Sequence, residues 1–170
     1  LMGCWSRVYL GLLLAFSSSL FAAQVSDIPT DREVRIGVYI GTYDPPHEGH
    51  RIVAEAAAKA GLVDFVLFLA NDNSHHKPNA TPFLIRKRMT ELVAEDSKVM
   101  IVPEYHPHPT KFYTETSLIA LKERFPNIRF FGMMGTDVAA RMDEIYPDQK
   151  YWMGRMEAFI VNERAGQGDL

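Results

Sequence analysis

From residue 34 onward the chain alternates short, nearly continuous apolar runs with longer stretches in which apolar residues recur at helical spacing. The runs at 34–40, 65–70, 99–102, 128–133 and 158–161 predict strands covered on both faces, because a strand with one wet face would alternate apolar and polar positions. The stretches at 49–60, 82–95, 116–124 and 137–145 predict helices. Gly61 stands where a helix C-cap belongs, Pro82 suits a first helical turn, and Pro126 stops a helix. This alternation predicts an α/β fold: a Rossmann-like parallel sheet of about five strands with helices on both faces. Ligands of such sheets bind beyond the carboxyl ends of the strands, so chemistry is expected in the loops at 41–48, 71–81, 103–113 and 134–136.

Composition narrows the picture modestly. A chain of 170 residues that is 47% hydrophobic suits one domain with a sizeable core. A net charge of −3 without any long run of like charges argues against a nucleic-acid partner. Cys4 is the single cysteine, which excludes an internal disulfide and a thiolate metal cluster. The first 23 residues carry one charge, Arg7, an apolar centre, and small residues at Ala22 and Ala23, the pattern of a secretory signal peptide. Their apolar stretch is shorter than the ~20 residues that span a bilayer, so no stable membrane span is expected. The expected organisation is a signal-like segment at 1–23, a linker at 24–33 and one domain at 34–170. Export to the periplasm or the medium follows if that segment acts as a signal, and a cytoplasmic location if it does not. No oligomeric state is implied.

The loop after the first run reads Gly41-Thr42-Tyr43-Asp44-Pro45-Pro46-His47-Glu48-Gly49-His50. Gly41 lets backbone approach a ligand, and the N–H groups of Thr42 and Tyr43 can face an anion. A helix begins at once, and its unpaired N–H groups and positive dipole end at Gly49 and His50 invite a phosphate. His47 and His50, three apart, project to one side of that helix entry. Imidazoles there donate hydrogen bonds to phosphate oxygens and stabilise developing negative charge. The same two rings could instead ligate a metal, but no acidic partner falls at a ligand spacing, and no metal site is expected.

The segment resembles the H-x-G-H signature of the nucleotidyltransferase superfamily, and its Thr-Tyr-Asp-Pro-Pro-His lead is similar to the nicotinate-nucleotide adenylyltransferase family. His76-Lys77 follows the second strand where that family has a Pro-His-Lys loop, with His75 in the place of the proline. Arg86 and Met89 fall on the next helix as in the family, Tyr113-Thr114-Glu115-Thr116 resembles its Tyr-Thr-x-x-Thr turn, and Gly135-Thr136-Asp137 matches its Gly-x-Asp. The resemblance implies transfer of an adenylyl group from ATP to nicotinate or nicotinamide mononucleotide, with pyrophosphate released. It assigns His47, His50 and Lys77 to catalysis, and Gly41, Thr42, Tyr43, Gly49, Gly135 and Asp137 to the nucleotide. Thr114 would bind the acceptor, with Tyr146 stacking on its pyridine ring. Mg²⁺ would arrive with ATP, since the sequence offers no carboxylate cage for it.

Several positions depart from that pattern. Ile40 replaces a glycine of the family's lead, Tyr146 stands where a tryptophan is common, and the family's late Ser-x-Thr-x-x-Arg segment does not occur, Arg155 and Arg164 being the only late arginines. The expectation is a chain that binds ATP and turns over poorly. Two other readings remain open: a cytidylyltransferase-type enzyme using CTP and a phosphorylated alcohol, and an exported nucleotide-binding module with little turnover. Some features have plainer readings: Arg86, Lys87 and Arg88 as a solvated helix face, Asp44 as a cap for its own turn, His106 and His108 as a solvated loop, and Trp152 as packing.

Overall fold

The computed structural model describes residues 22–72, 77–146 and 150–163. Five strands form one parallel sheet: β1 (Val34–Gly41), β2 (Phe65–Ala70), β3 (Met100–Ile101), β4 (Ile128–Gly135) and β5 (Met156–Asn162), in the order β3-β2-β1-β4-β5. The helices are α1 (Glu48–Lys59), α2 (Phe83–Ala94), α3 (Tyr113–Arg124) and three single turns, α4 (Thr136–Ala139), α5 (Met142–Ile145) and α6 (Lys150–Met153). Alternate residues of β1 serve two cores. Val34, Ile36, Val38 and Ile40 pack with Leu118 and Leu121 of α3, while Tyr39 joins Ala54 and Ala57 of α1 and Ala94 of α2. The two-sided apolar runs are therefore explained by helices on both faces. β1 leads outward to β2, whereas β4 and β5 lie on its other side, so the order reverses between β1 and β4. That reversal opens a crevice at their carboxyl ends.

Some expectations change. The segment expected as a linker at 24–33 is docked: it opens with a 3₁₀ turn at Val25–Asp27, Ile28 is buried, and the Asn127 side-chain amide donates to the carbonyls of Pro29 and Arg32. β3 shrinks from 99–102 to two residues. The Ser97 hydroxyl accepts from the Val99 and Met100 N–H groups, and Pro103 cannot donate to a ladder. The helix expected at 137–145 is two separate turns, with Arg141 capping the second. β5 is not covered on both faces: Phe159 is 38% and Val161 48% exposed, as suits a sheet edge bordered by β4 alone. The signal-like residues 1–21, His75, His76 and Arg164 lie outside the described residues.

Candidate active site

The crevice is built from the ends of β1, β2 and β4 and the starts of α1 and α3. Gly41 pairs in register with Ala70, and the Asn71 N–H donates to the Gly41 carbonyl at 2.8 Å, so the first and second loops leave the sheet side by side. A Cβ on Gly41 would stand 2.7 Å from the Tyr43 ring, which explains the glycine sterically. Tyr43 itself has φ of 50° and a buried side chain. Its hydroxyl donates to the Tyr39 carbonyl, and its ring meets His50 edge-on at 4.9 Å. Expected as a nucleotide contact, Tyr43 thus puts its side chain in the core and can offer a ligand its backbone only.

The two histidines build the start of α1 with their own rings. His47 is the N-cap and accepts the Gly49 N–H on Nδ1 at 3.1 Å, and the His47 N–H donates to Nδ1 of His50 at 3.0 Å. The arrangement is a reciprocal capping box in which imidazoles replace the usual hydroxyl and carboxylate. Because each Nδ1 accepts, the proton of each neutral ring is assigned to Nε2, making that nitrogen the donor. The ring centroids lie 3.9 Å apart at an interplanar angle of 36°, so the two rings stand side by side. A Cβ on Gly49 would sit 3.0 Å from the His47 ring, so the residue between the histidines must stay small.

The second loop is tied to the first by two groups that the sequence reading did not place. Asp44 does not cap its own turn. It accepts the Thr81 N–H at 2.7 Å, and that bond, aided by the charges of Arg86 and Lys77, holds its carboxyl below the ordinary carboxylate range. Lys77 is exposed and lies close enough to bear on Asp44, which brings the expected catalytic cation to the histidine loop. A carboxyl depressed in the folded state stabilises it above the unfolded pKa of about 4, and that contribution is lost as pH falls through the folded value. The stability difference between the protein and its Asp44→Asn variant is therefore expected to be constant from pH 5 to 7 and to close in more acid solution. Urea unfolding across that range would detect it, and a gap independent of pH would remove Asp44 from the linkage.

Arg86 is neither a solvated residue nor a phosphate clamp. It is 3% exposed, and its guanidinium donates to three carbonyls: Thr81 at 2.6 Å, Thr42 at 2.6 Å and Asn71 at 2.9 Å. One planar fork thus pins the loops after β1 and β2 to the approach of α2. Lys87 is also buried and pairs with Glu91. Helical spacing does not distinguish these two from exposed Arg88, and only the family pattern singles out Arg86.

Asp72 completes the rim. One of its oxygens accepts the N–H of Tyr113, the first residue of α3, at 2.8 Å, and the other, Oδ1, is shielded from solvent without a hydrogen-bond partner. Burial raises its carboxyl above the usual range, against the pull of the Tyr113 N–H, of its own N–H and of Arg86. Thr114, expected to bind the acceptor, is the next residue of α3 and is buried. Gly135 ends β4 and caps α4, which contains Asp137, so both expected nucleotide contacts stand on the β4 side of the crevice. Tyr146, expected to stack on the acceptor, belongs instead to the α3-side core, meeting Trp152 edge-on at 5.5 Å. Its burial raises its hydroxyl pKa to about 12. Among the described residues no cluster of three or more histidine, cysteine, aspartate or glutamate side chains could hold a metal.

A separate groove of about 590 Å³ lies on the outer side of α3, lined by Val25, Val102, His106, Ser117 and Arg124 among others. None of the crevice residues named above lines it. The crevice, where the two imidazoles, Lys77 and two helix starts stand, is therefore the candidate site.

Comparison with known proteins identifies the family. The cytidylyltransferase-like family matches residues 38–165, a span containing every crevice residue named above. A nicotinate-nucleotide adenylyltransferase of Bacillus subtilis (strain 168) is 33% identical over 118 residues, covering 66% of this chain and 61% of its own. A probable nicotinate-nucleotide adenylyltransferase of Bacillus mycoides (strain KBAB4) is 28% identical over 135 residues, covering 78% and 70%. The chain thus spans roughly two thirds of the length of these relatives. A solved Plasmodium falciparum nicotinic acid mononucleotide adenylyltransferase complexed with NaAD superposes with a TM-score of 0.55 at 15% identity, covering 80% of this chain and 78% of that one, which speaks for the fold. By sequence span and architecture together, the chain belongs to the cytidylyltransferase-like family of the nucleotidyltransferase superfamily.

Proposed function

We propose that this protein transfers the adenylyl group of ATP to a pyridine mononucleotide, in line with bacterial relatives named nicotinate-nucleotide adenylyltransferases. The observation that carries the reading is the pair of imidazoles capping α1, each accepting a backbone N–H on Nδ1 at a helix N-terminus. A phosphate oxygen of the acceptor attacks the α-phosphorus of ATP in line. The new P–O bond forms as the bond to the bridging oxygen of pyrophosphate breaks, and no enzyme-linked intermediate is needed. His47 and His50 hydrogen-bond the phosphate oxygens on which charge grows, the Gly41 and Thr42 backbone follows the triphosphate, and Lys77 adds a cation from the second loop. Thr114 at the start of α3 receives the pyridine end of the acceptor, and Asp137 the nucleotide ribose. Mg²⁺ would arrive bound to ATP and supply neutralisation of phosphate charge.

The test is incubation with MgATP and nicotinate or nicotinamide mononucleotide, following pyrophosphate and dinucleotide together. Equal release of the two is expected. Turnover confined to CTP with a phosphorylated alcohol would overturn the reading.

A further inference from the structure

We infer that Asp44 is a positioning residue for the transfer: by docking the turn at 77–80 onto the histidine loop, it sets where the Lys77 ammonium meets the phosphate chain of ATP. The inference rests on the adenylyltransferase reading above.

A lysine is a poor keeper of its own position. Its ammonium is a point charge on a flexible four-carbon stem, so its contribution to a transition state depends on how firmly its backbone is placed. At Lys77 a short series of bonds does the placing. The Lys77 carbonyl accepts the Ala80 N–H at 3.0 Å, closing a four-residue turn, and Pro78 restricts that turn at its second position. The next residue, Thr81, is held on both sides of its backbone. Its N–H donates to Oδ2 of Asp44 at 2.7 Å, and its carbonyl accepts from Arg86 at 2.6 Å. A turn closed from within and fixed at its end carries Lys77 with it.

The two ties on Thr81 differ in what they measure against. Arg86 reaches from α2 and grips the backbone of both loops, as part of the scaffold. Asp44 belongs to the histidine loop itself, three residues before His47, so its bond registers the turn directly against the imidazoles. The Asp44 carboxylate spends its hydrogen bonds on Thr81, through the side chain as well as the N–H, and attracts the Lys77 ammonium through space. One side chain thus both fixes the end of the turn and draws its cation toward the place where His47 and His50 stand. Residues that act as such a unit lose function together, so removing the second after the first costs little.

The test is a double-mutant cycle on the full chain, read as kcat with MgATP and nicotinate mononucleotide at pH 8. Asp44→Ala should lower kcat about 10-fold or more, the scale of a small misplacement of a reacting or stabilising group. Asp44→Asn, whose side-chain oxygen can still accept the Thr81 N–H, should recover most of that loss. Lys77→Met should lower kcat at least as far as Asp44→Ala, and in the Lys77→Met background Asp44→Ala should cost little more, because the group it positions is gone. Asp44→Glu, which keeps the charge on a stem one methylene longer and so displaces the turn, takes the place of the alanine variant in the cycle if that variant does not fold. Losses that multiply in the double variant, full turnover by Asp44→Ala, or an asparagine variant no faster than the alanine one each overturn the positioning role and leave the function standing. Failure of the unaltered protein to turn over any pyridine mononucleotide with MgATP overturns the function, and the inference with it.

Discussion

Replacing His50 with alanine is expected to lower adenylyl transfer about 10²-fold or more, the scale for removing one preorganised donor from a developing charge. The same substitution touches the fold, because Nδ1 of His50 accepts the His47 N–H at the start of α1. Loss of such a cap costs about 1 kcal/mol. The two effects separate with His50→Asn, whose shorter side chain retains an oxygen able to accept that N–H but lacks the ring's outer nitrogen. Turnover should fall in both variants, whereas urea unfolding should register a loss mainly in the alanine variant. If His50→Asn keeps full turnover, the ring is a structural cap and the transferred phosphate is stabilised elsewhere. His47, whose Nδ1 accepts the Gly49 N–H, is expected to behave alike.

Arg86→Met carries the largest expected loss of stability. The methionine fills much of the arginine's volume but leaves the carbonyls of Thr42, Asn71 and Thr81 facing a place that is 3% exposed, without their donor. An unsatisfied buried polar group costs about 1–3 kcal/mol, so relaxation by some of the three still leaves a loss of about 3 kcal/mol. Arg86→Lys keeps the charge as a compact point without the planar fork, so it cannot serve three carbonyls in the same geometry and should fall between. ATP binding should weaken along with stability, since the loop after β1 is one of the two that come loose. Denaturant unfolding measures the first effect and calorimetry with ATP the second. Unfolding of Arg86→Met at the same midpoint as the parent would mean that the carbonyls find other donors.

Much of this architecture was legible in the sequence where a local pattern decides the outcome. The apolar runs at β1, β2 and β4 mark strands because both of their faces are covered, and the loop from Gly41 to His50 declares itself through glycine, prolines and paired histidines. What was not legible depends on partners distant in the chain. The start of α3 is expected at Thr116 and lies at Tyr113, whose N–H is taken by Asp72 from another loop. Asp44 reads as a local turn former, yet its partner is Thr81. Arg86 sits among charged neighbours that look alike in sequence, and only folding shows which of them is enclosed. Tyr146 occupies a position expected to stack on a ligand, and the residue that fixes its surroundings, Trp152, follows only after α5.

The clamp made by Arg86 has a consequence for how this part of the molecule can diverge. All three of its acceptors are main-chain carbonyls, and a carbonyl is supplied by any residue. The identities at 42, 71 and 81 are therefore released from the duty of holding the loops in place, which rests on one side chain borne by a helix. Mutational drift, or a protein engineer, can exchange those loop residues to suit a new acceptor while the loop backbone keeps its course. Selection for shape falls on position 86, leaving selection for substrate free to act on its neighbours.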